Sequence, residues 1–139
     1  MTNKQSFLIL LFSVAIIIFS CNEYRPKELV PVPAPVINYD IAVTPETIEK
    51  GSVVYQTNCS PCHGKGGKGD GPAAATLNPK PRNHTDSAYM NKLTNEHLFI
   101  LLKAGGAAKG FPLMPSFSYL SDDDIKNTIA FLRSLSNPK

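Results

Sequence analysis

Residues 58–64, NCSPCHG, set two thiols three positions apart with an imidazole directly behind the second. One turn of chain can hold Cys59, Cys62 and His63 around a single partner, so the rest of the fold has to keep that turn beside the partner. Three chemistries use such residues. A dithiol oxidoreductase of the thioredoxin kind needs a βαβ context, and no stretch of alternating residues long enough to form one is found here. A structural zinc site needs four ligands, and outside the turn only His84 and His97 carry imidazoles. A haem uses all three groups, because each thiol can add to a vinyl group as a thioether while the adjacent imidazole reaches the iron. Covalent attachment also suits a chain of 139 residues, whose single small core cannot enclose a porphyrin by packing alone. The expected cofactor is one haem c, attached through Cys59 and Cys62 with His63 as an axial ligand.

The N-terminus points to export. Lys4 precedes an apolar run, FLILLFSVAIIIF, which is too short to span a bilayer comfortably and has the layout of a signal peptide. Residues 1–20 are read as that signal. The segment Ile18-Phe19-Ser20-Cys21 resembles a bacterial lipobox, which makes Cys21 the lipidated first residue of the mature chain. Phe19 is bulkier than the usual residue in that slot, so uncleaved anchoring and plain secretion remain open. Lipidation would use the odd thiol among three cysteines, leaving Cys59 and Cys62 for chemistry. The expected location is the periplasm-facing or extracytoplasmic membrane surface. Removing Lys4 lowers the formal net charge of +3 by one, with no basic stripe that would favour nucleic acid.

Residues 21–43 then form the lipidated cysteine and a proline-rich tether, in which Pro31, Pro33 and Pro35 alternate with small apolar residues. Fully extended, it reaches on the order of 65 Å at about 3.1 Å per residue. The alternative is an arm packed along the domain, for which its Val and Ile residues are suited. Residues 44–139 are the globular domain. Thr44-Pro45-Glu46 starts a helix that runs to about Asn58, with Ile48, Gly51 and Tyr55 on one face and Gly51 small enough for another helix to approach. GKGGKGDGPAAATLNPKPRNHTD is a long ordered loop of the kind that serves a site. Thr94-Asn95-Glu96 starts a helix with an apolar stripe at Leu98, Leu101 and Leu102, ended by Gly105-Gly106. Ser121 caps the last helix, whose first turn is acidic and whose buried face is Ile125, Thr128, Ile129, Leu132 and Leu135, flanked by Phe131.

The sixth iron position is open to four residues. Met90 lies in SAYMNKL, near the start of a helix, whereas Met114 lies in GFPLMP, where Pro112 and Pro115 restrict the loop and can present one side chain. A methionine is commonly core filler, but its loop context favours Met114 as the ligand. His97 sits in the first turn of a helix and His84 in the polar run RNHTD. Both are rivals for the position.

Taken in order, CSPCHG, GKGDGPAAA, a helix ending at Gly105, MPSF and LSDDDIKNTIAFLRSL resemble the monohaem class I c-type cytochromes of bacteria over residues 44–136. The resemblance implies an all-α cytochrome c fold of about three to five helices around one haem, with Gly51 and Tyr55 crossing the Ile129–Leu132 turn. It also implies a loop carbonyl that accepts the second N–H of His63, for which Pro72, Pro79 and Pro81 are the candidates. The loop GDGPAAATLNPKPRNHTD further resembles the small cytochrome subunits of quinol-oxidising complexes such as alternative complex III.

The expected function is single-electron transfer by a membrane-anchored cytochrome, with His63 and Met114 on the iron in both oxidation states. Two fixed ligands leave no open position, so the expected protein is not an enzyme and takes no small-molecule substrate. Its partners are a redox donor and a redox acceptor, with the membrane reached through the lipid. A docked subunit of a larger quinol-oxidising or oxidase complex is the first alternative. A five-coordinate haem enzyme or gas sensor is the second.

Overall fold

The computed structural model describes residues 37–138. The signal peptide, Cys21 and the three tether prolines lie outside the described residues. Five α-helices follow: α1 (Pro45–Asn58), α2 (Ser60–His63), α3 (Ser87–Met90), α4 (Asn95–Ala104) and α5 (Asp122–Ser136), with single 3₁₀ turns at Ala74–Thr76 and Ala107–Lys109. Among the described residues there is no strand, and the fold is all-α as expected.

The three long helices begin where the capping residues stand. The Thr44 hydroxyl accepts from the Thr47 amide while the Thr47 hydroxyl accepts from the Thr44 amide, a reciprocal pair that satisfies two orphan donors, and Pro45 occupies the first turn. Thr94 caps α4 through the His97 amide at 3.0 Å. Ser121 caps α5 through the Asp124 amide at 3.1 Å, with Asp122, Asp123 and Asp124 at the positive end of the helix dipole.

α1 and α5 make the most extensive helix contact, and α4 packs on α5 beside them. Gly51 allows the crossing: a Cβ there would collide with the Asn127 carbonyl. One turn further along α1, Tyr55 is fully buried and its ring lies 4.9 Å from that of Phe131. Ile125, Ile129 and Leu132 of α5 join Leu98, Phe99 and Leu102 of α4, with Met90 and Phe117, in one core. Leu135 and Leu101, expected on the buried faces, lie at the margins.

The globular part begins earlier than residue 44. Ile37, Tyr39 and Ile41, assigned to the tether from sequence, pack against the core. Tyr39 meets Phe99 edge to face with ring centroids 5.4 Å apart, and its carbonyl accepts from Asn95 Nδ2 at 3.3 Å. Burying these apolar side chains offsets the entropy of ordering the segment.

Two connections frame the functional side chains. The loop from Gly64 to Asp86 folds back on α2, with bonds from Gly69 N to His63 O, Gly71 N to Cys62 O and Ala73 N to Pro61 O. The loop after α4 returns on the end of that helix. Gly106 N donates to Met114 O at 3.0 Å, Met114 N to Phe111 O at 3.0 Å, and Phe117 N to Leu102 O at 2.9 Å.

Candidate functional site

Cys59, Cys62, His63 and Met114 border one cleft. Cys59 is the residue joining α1 to α2, and Cys62 and His63 lie in α2, so one short backbone segment presents all three groups. Met114 comes to the same cleft from the opposite end of the sequence, on the loop pinned to α4. Leu77, Leu98, Leu101, Leu102, Phe111 and Phe117 supply much of the rest of the lining, with Pro79, Pro81 and Pro115. The walls are predominantly apolar, as a flat hydrophobic macrocycle requires.

The two cysteines are not joined to each other in a disulfide, and each is partly exposed. Burial, with Cys62 adding to it, pushes the Cys59 thiol up to about 12, so it is protonated at neutral pH. No group of three or more His, Cys, Asp or Glu side chains disposed to hold a metal ion directly occurs among the described residues. The dithiol and the imidazole are therefore not part of a zinc cluster within the described structure.

The imidazole of His63 is held at one edge. Its Nδ1 lies 3.0 Å from the carbonyl oxygen of Arg82. A carbonyl can only accept, so Nδ1 carries the proton and Nε2 keeps a free lone pair, which is the tautomer a metal ligand needs. Burial lowers the His63 pKa and the bond to Arg82 opposes that, leaving it below the ordinary histidine value. The residues fit a covalently bound haem: two thiols, an imidazole with Nε2 available and a thioether, around an apolar cleft.

The accepting carbonyl belongs to Arg82 and not to Pro72, Pro79 or Pro81, the candidates taken from the family resemblance. Pro81 directly precedes it and fixes the approach of the chain. Arg82 is held further by its guanidinium, which lies 4.0 Å over the ring of Tyr89. A backbone acceptor has no side-chain signature, so sequence alone could not choose the residue.

His84, read from sequence as part of a polar run, is instead partly buried in the site. Its ring stacks on His63 with centroids 4.2 Å apart and planes 19° from parallel. Ligands on opposite faces of one iron point at each other end to end, so two rings stacked face to face cannot serve as such a pair. Burial above all, with the neighbouring His63 and Arg82 adding to it, pushes the His84 pKa down to about 3, and the ring is neutral at physiological pH.

His97 lies in the first turn of α4 and does not line the cleft. Met90 does border it, but its side chain is 1% exposed and belongs to the core. It ends the short helix α3, which Asp86 caps, instead of standing near the start of a longer one. Met114 is only half-buried and lies on a loop.

The model of the cytochrome c family matches residues 48–136. A comparison with curated proteins gives no match. Among solved structures, a chain of the Kuenenia stuttgartiensis reducing HAO-like protein complex has a similar fold, with a TM-score of 0.52 and 24% identity over 73% of this chain and 45% of that one. The present chain thus spans less than half the length of that relative. The match runs from α1 through the CSPCH turn and the Met114 loop to the end of α5, and it brings with it haem c as the covalently bound cofactor and electron transfer as its use: the chain belongs to the cytochrome c family.

Proposed function

We propose that this chain is a membrane-tethered monohaem electron carrier in which Cys59 and Cys62 attach the haem and His63 and Met114 are the axial ligands of its iron. The observation that carries the reading is the 3.0 Å contact between His63 Nδ1 and the Arg82 carbonyl, in a cleft that Met114 also lines. One-electron oxidation and reduction of the haem iron supply the chemistry. The Arg82 carbonyl fixes the His63 tautomer and makes the ring a stronger donor. The bonds from Gly106 and to Phe111 hold the backbone of Met114, so the thioether side chain is delivered from a fixed loop. The apolar walls keep water from the cleft. If His63 and Met114 both hold the iron, they would leave no position on it for a substrate, and the protein would take an electron from one redox partner and pass it to another without making or breaking a bond.

The anchoring half of the proposal rests on residues 1–21. Export through the apolar run and lipidation of Cys21 would leave residues 22–36 as the tether, and the acyl chains of Cys21 would supply the two signals that stable membrane attachment needs. Intact mass of the mature protein tests this: an N-terminus other than a modified Cys21 removes the anchor.

Ligation is tested by optical spectra and potentiometry of the purified protein and Met114→Ala. The expected results are a weak far-red ferric band from sulfur ligation that the variant loses, and a lower potential in the variant. If both are unchanged, Met114 is not the ligand. Retention of haem after acid-acetone extraction, weakened in Cys59→Ala, tests the thioethers.

A docked subunit is the second reading, favoured by the fact that the structural relative belongs to a protein complex. Copurification of other chains after detergent extraction separates it from a free shuttle. A five-coordinate enzyme or gas sensor would instead show high-spin iron and rapid carbon monoxide binding when reduced.

A further inference from the structure

His63 is gripped on a second side, by groups that the reading above does not use. His84 lies flat on its ring, and His84 itself is fixed at backbone and side chain. Its amide donates to Gly67 O at 2.6 Å, and its Nδ1 lies 3.3 Å from the Tyr55 hydroxyl. That hydroxyl has one proton and donates it to the Gly64 carbonyl at 3.2 Å. The contact with His84 must therefore use a lone pair of Tyr55 Oη, which makes His84 Nδ1–H the donor. Gly64 directly follows His63, so the chain of contacts closes on itself: His63 is stacked on His84, His84 donates to Tyr55, and Tyr55 donates to the carbonyl next to His63. Tyr55 is 0% exposed on α1, packed against Phe131 of α5, and cannot follow a displaced ring.

The Arg82 carbonyl holds one point on the edge of the His63 ring. A single hydrogen bond bends easily and restrains tilting of the ring only softly, whereas a flat neighbour pressed against the face opposes it directly. We propose that His84 is a positioning residue for the proximal ligand: its ring, anchored through Nδ1–H to Tyr55, sets the plane of the His63 imidazole. This rests on His63 being an axial ligand.

The plane of an axial imidazole controls how unpaired spin spreads over the four pyrrole rings of a ferric low-spin haem. It can be read from the paramagnetically shifted haem-methyl proton resonances. The experiment uses ferric holoprotein and compares wild type with His84→Leu, His84→Phe and Tyr55→Phe. Leucine has no flat face and should change the spread and order of the four methyl resonances. Phenylalanine keeps the face and should stay much closer to the wild-type pattern. Tyr55→Phe removes only the anchor and should shift the methyls in the same sense as leucine, by less.

If His84→Leu and Tyr55→Phe both give the wild-type pattern, His84 does not position the ligand. If His84→Leu fails to take up haem, the Tyr55→Phe spectrum decides alone, a changed pattern supporting the inference and an unchanged one overturning it. Should the wild type itself lack the strongly shifted ring resonances of an iron-bound imidazole, the ligand reading falls together with this inference. Their presence, unmoved in the variants, removes this inference only.

Discussion

Gly51 on α1 and Asn127 on α5 meet backbone to backbone, with no room for a side chain between them. A Cβ on Gly51 would overlap the Asn127 carbonyl and stand 2.9 Å from the Thr128 amide nitrogen. In an isolated helix Gly51→Ala would gain about 1 kcal/mol of propensity. Here the obstacle is backbone, which cannot rotate aside as a side chain can, and overpacking typically costs about 1–3 kcal/mol or more. Crowding wins, because relief would require separating the two helices that bury Tyr55 and Ile129. The expected result is a net loss of about 2 kcal/mol, which for a domain of this size lowers Tm by about 8–16 °C. A thermal melt of Gly51→Ala at or above the wild-type temperature would show that the crossing can relax.

Arg133 ties the short helix α3 and the start of α4 to α5. Its Nη1 donates to Met90 O at 2.8 Å, its Nη2 to Leu93 O at 2.6 Å and Asn95 Oδ1 at 2.9 Å, and its Nε to Asn95 Oδ1 at 3.0 Å. Met90 and Leu93 also border the cleft, so the clasp holds one of its walls. A lysine ammonium is a compact donor and cannot reproduce the planar fork. Arg133→Lys should lose about 1–3 kcal/mol, the cost of leaving partly buried acceptors without donors. Denaturant melts check this, and a Lys variant as stable as wild type would mean that charge alone is enough.

How far the sequence carried depends on whether a feature was written in side chains or in backbone. The starts of α1, α4 and α5 were legible because Thr44, Thr94 and Ser121 are hydroxyl caps and actually accept the expected amides. That another helix crosses α1 was legible in Gly51, and the family resemblance named the last helix as its partner. Of the site, the thiols, His63 and Met114 could be named from spacing and loop context, and the structure brings them to one cleft. Arg82 was missed because its contribution to His63 is a carbonyl that every residue carries. His84 was misjudged because its neighbours Arg82, Asn83, Thr85 and Asp86 are polar, while its own environment is set by Gly67 and Tyr55, distant in sequence. The ordered segment before residue 44 is hard to read from sequence because Ile37, Tyr39 and Ile41 alternate with polar and small residues over too short a stretch to stand out from the proline alternation that precedes them.

Tyr55 should make stability fall at alkaline pH. Its phenol is held above the ordinary range, first by burial and then by Cys59 and Asp70. The unfolded phenol ionises near pH 10 and the folded one resists, so the unfolded state alone loses a proton above that point. The contribution is complete below about pH 10 and declines above it by about 1.4 kcal/mol per pH unit. Tyr55→Phe removes this slope. At pH 9 the variant should be less stable by about 1 kcal/mol, through loss of the hydroxyl's long bonds to the Gly64 carbonyl and His84 Nδ1. The gap should close near pH 11, as read from denaturant melts at a series of pH values. A gap that stays constant between pH 9 and pH 11.5 contradicts the assignment.

Tyr119 offers a way to separate local from global stability. Its hydroxyl donates to Asn58 Oδ1 at 2.7 Å, and Asn58 is in turn fixed through its Nδ2 to Val54 O at 2.8 Å. The bond joins the segment that follows Met114 to the last residue of α1, directly before Cys59. Tyr119 is 69% exposed, so water replaces the lost partner easily and Tyr119→Phe should cost less than about 1 kcal/mol of global stability. The local effect is of a different kind. Freeing the segment raises the population of opened states of the Met114 loop without unfolding the core. If Met114 is the iron's ligand, an external ligand such as imidazole should then compete better with it in the ferric protein. A loss of about 1 kcal/mol concentrated in the loop corresponds to an affinity about fivefold higher. Optical titration with imidazole, run beside thermal melts, checks both halves. An unchanged affinity would show that the bonds to Gly106 and Phe111 hold Met114 without help from Tyr119, and a large fall in Tm would show that the contact belongs to the core.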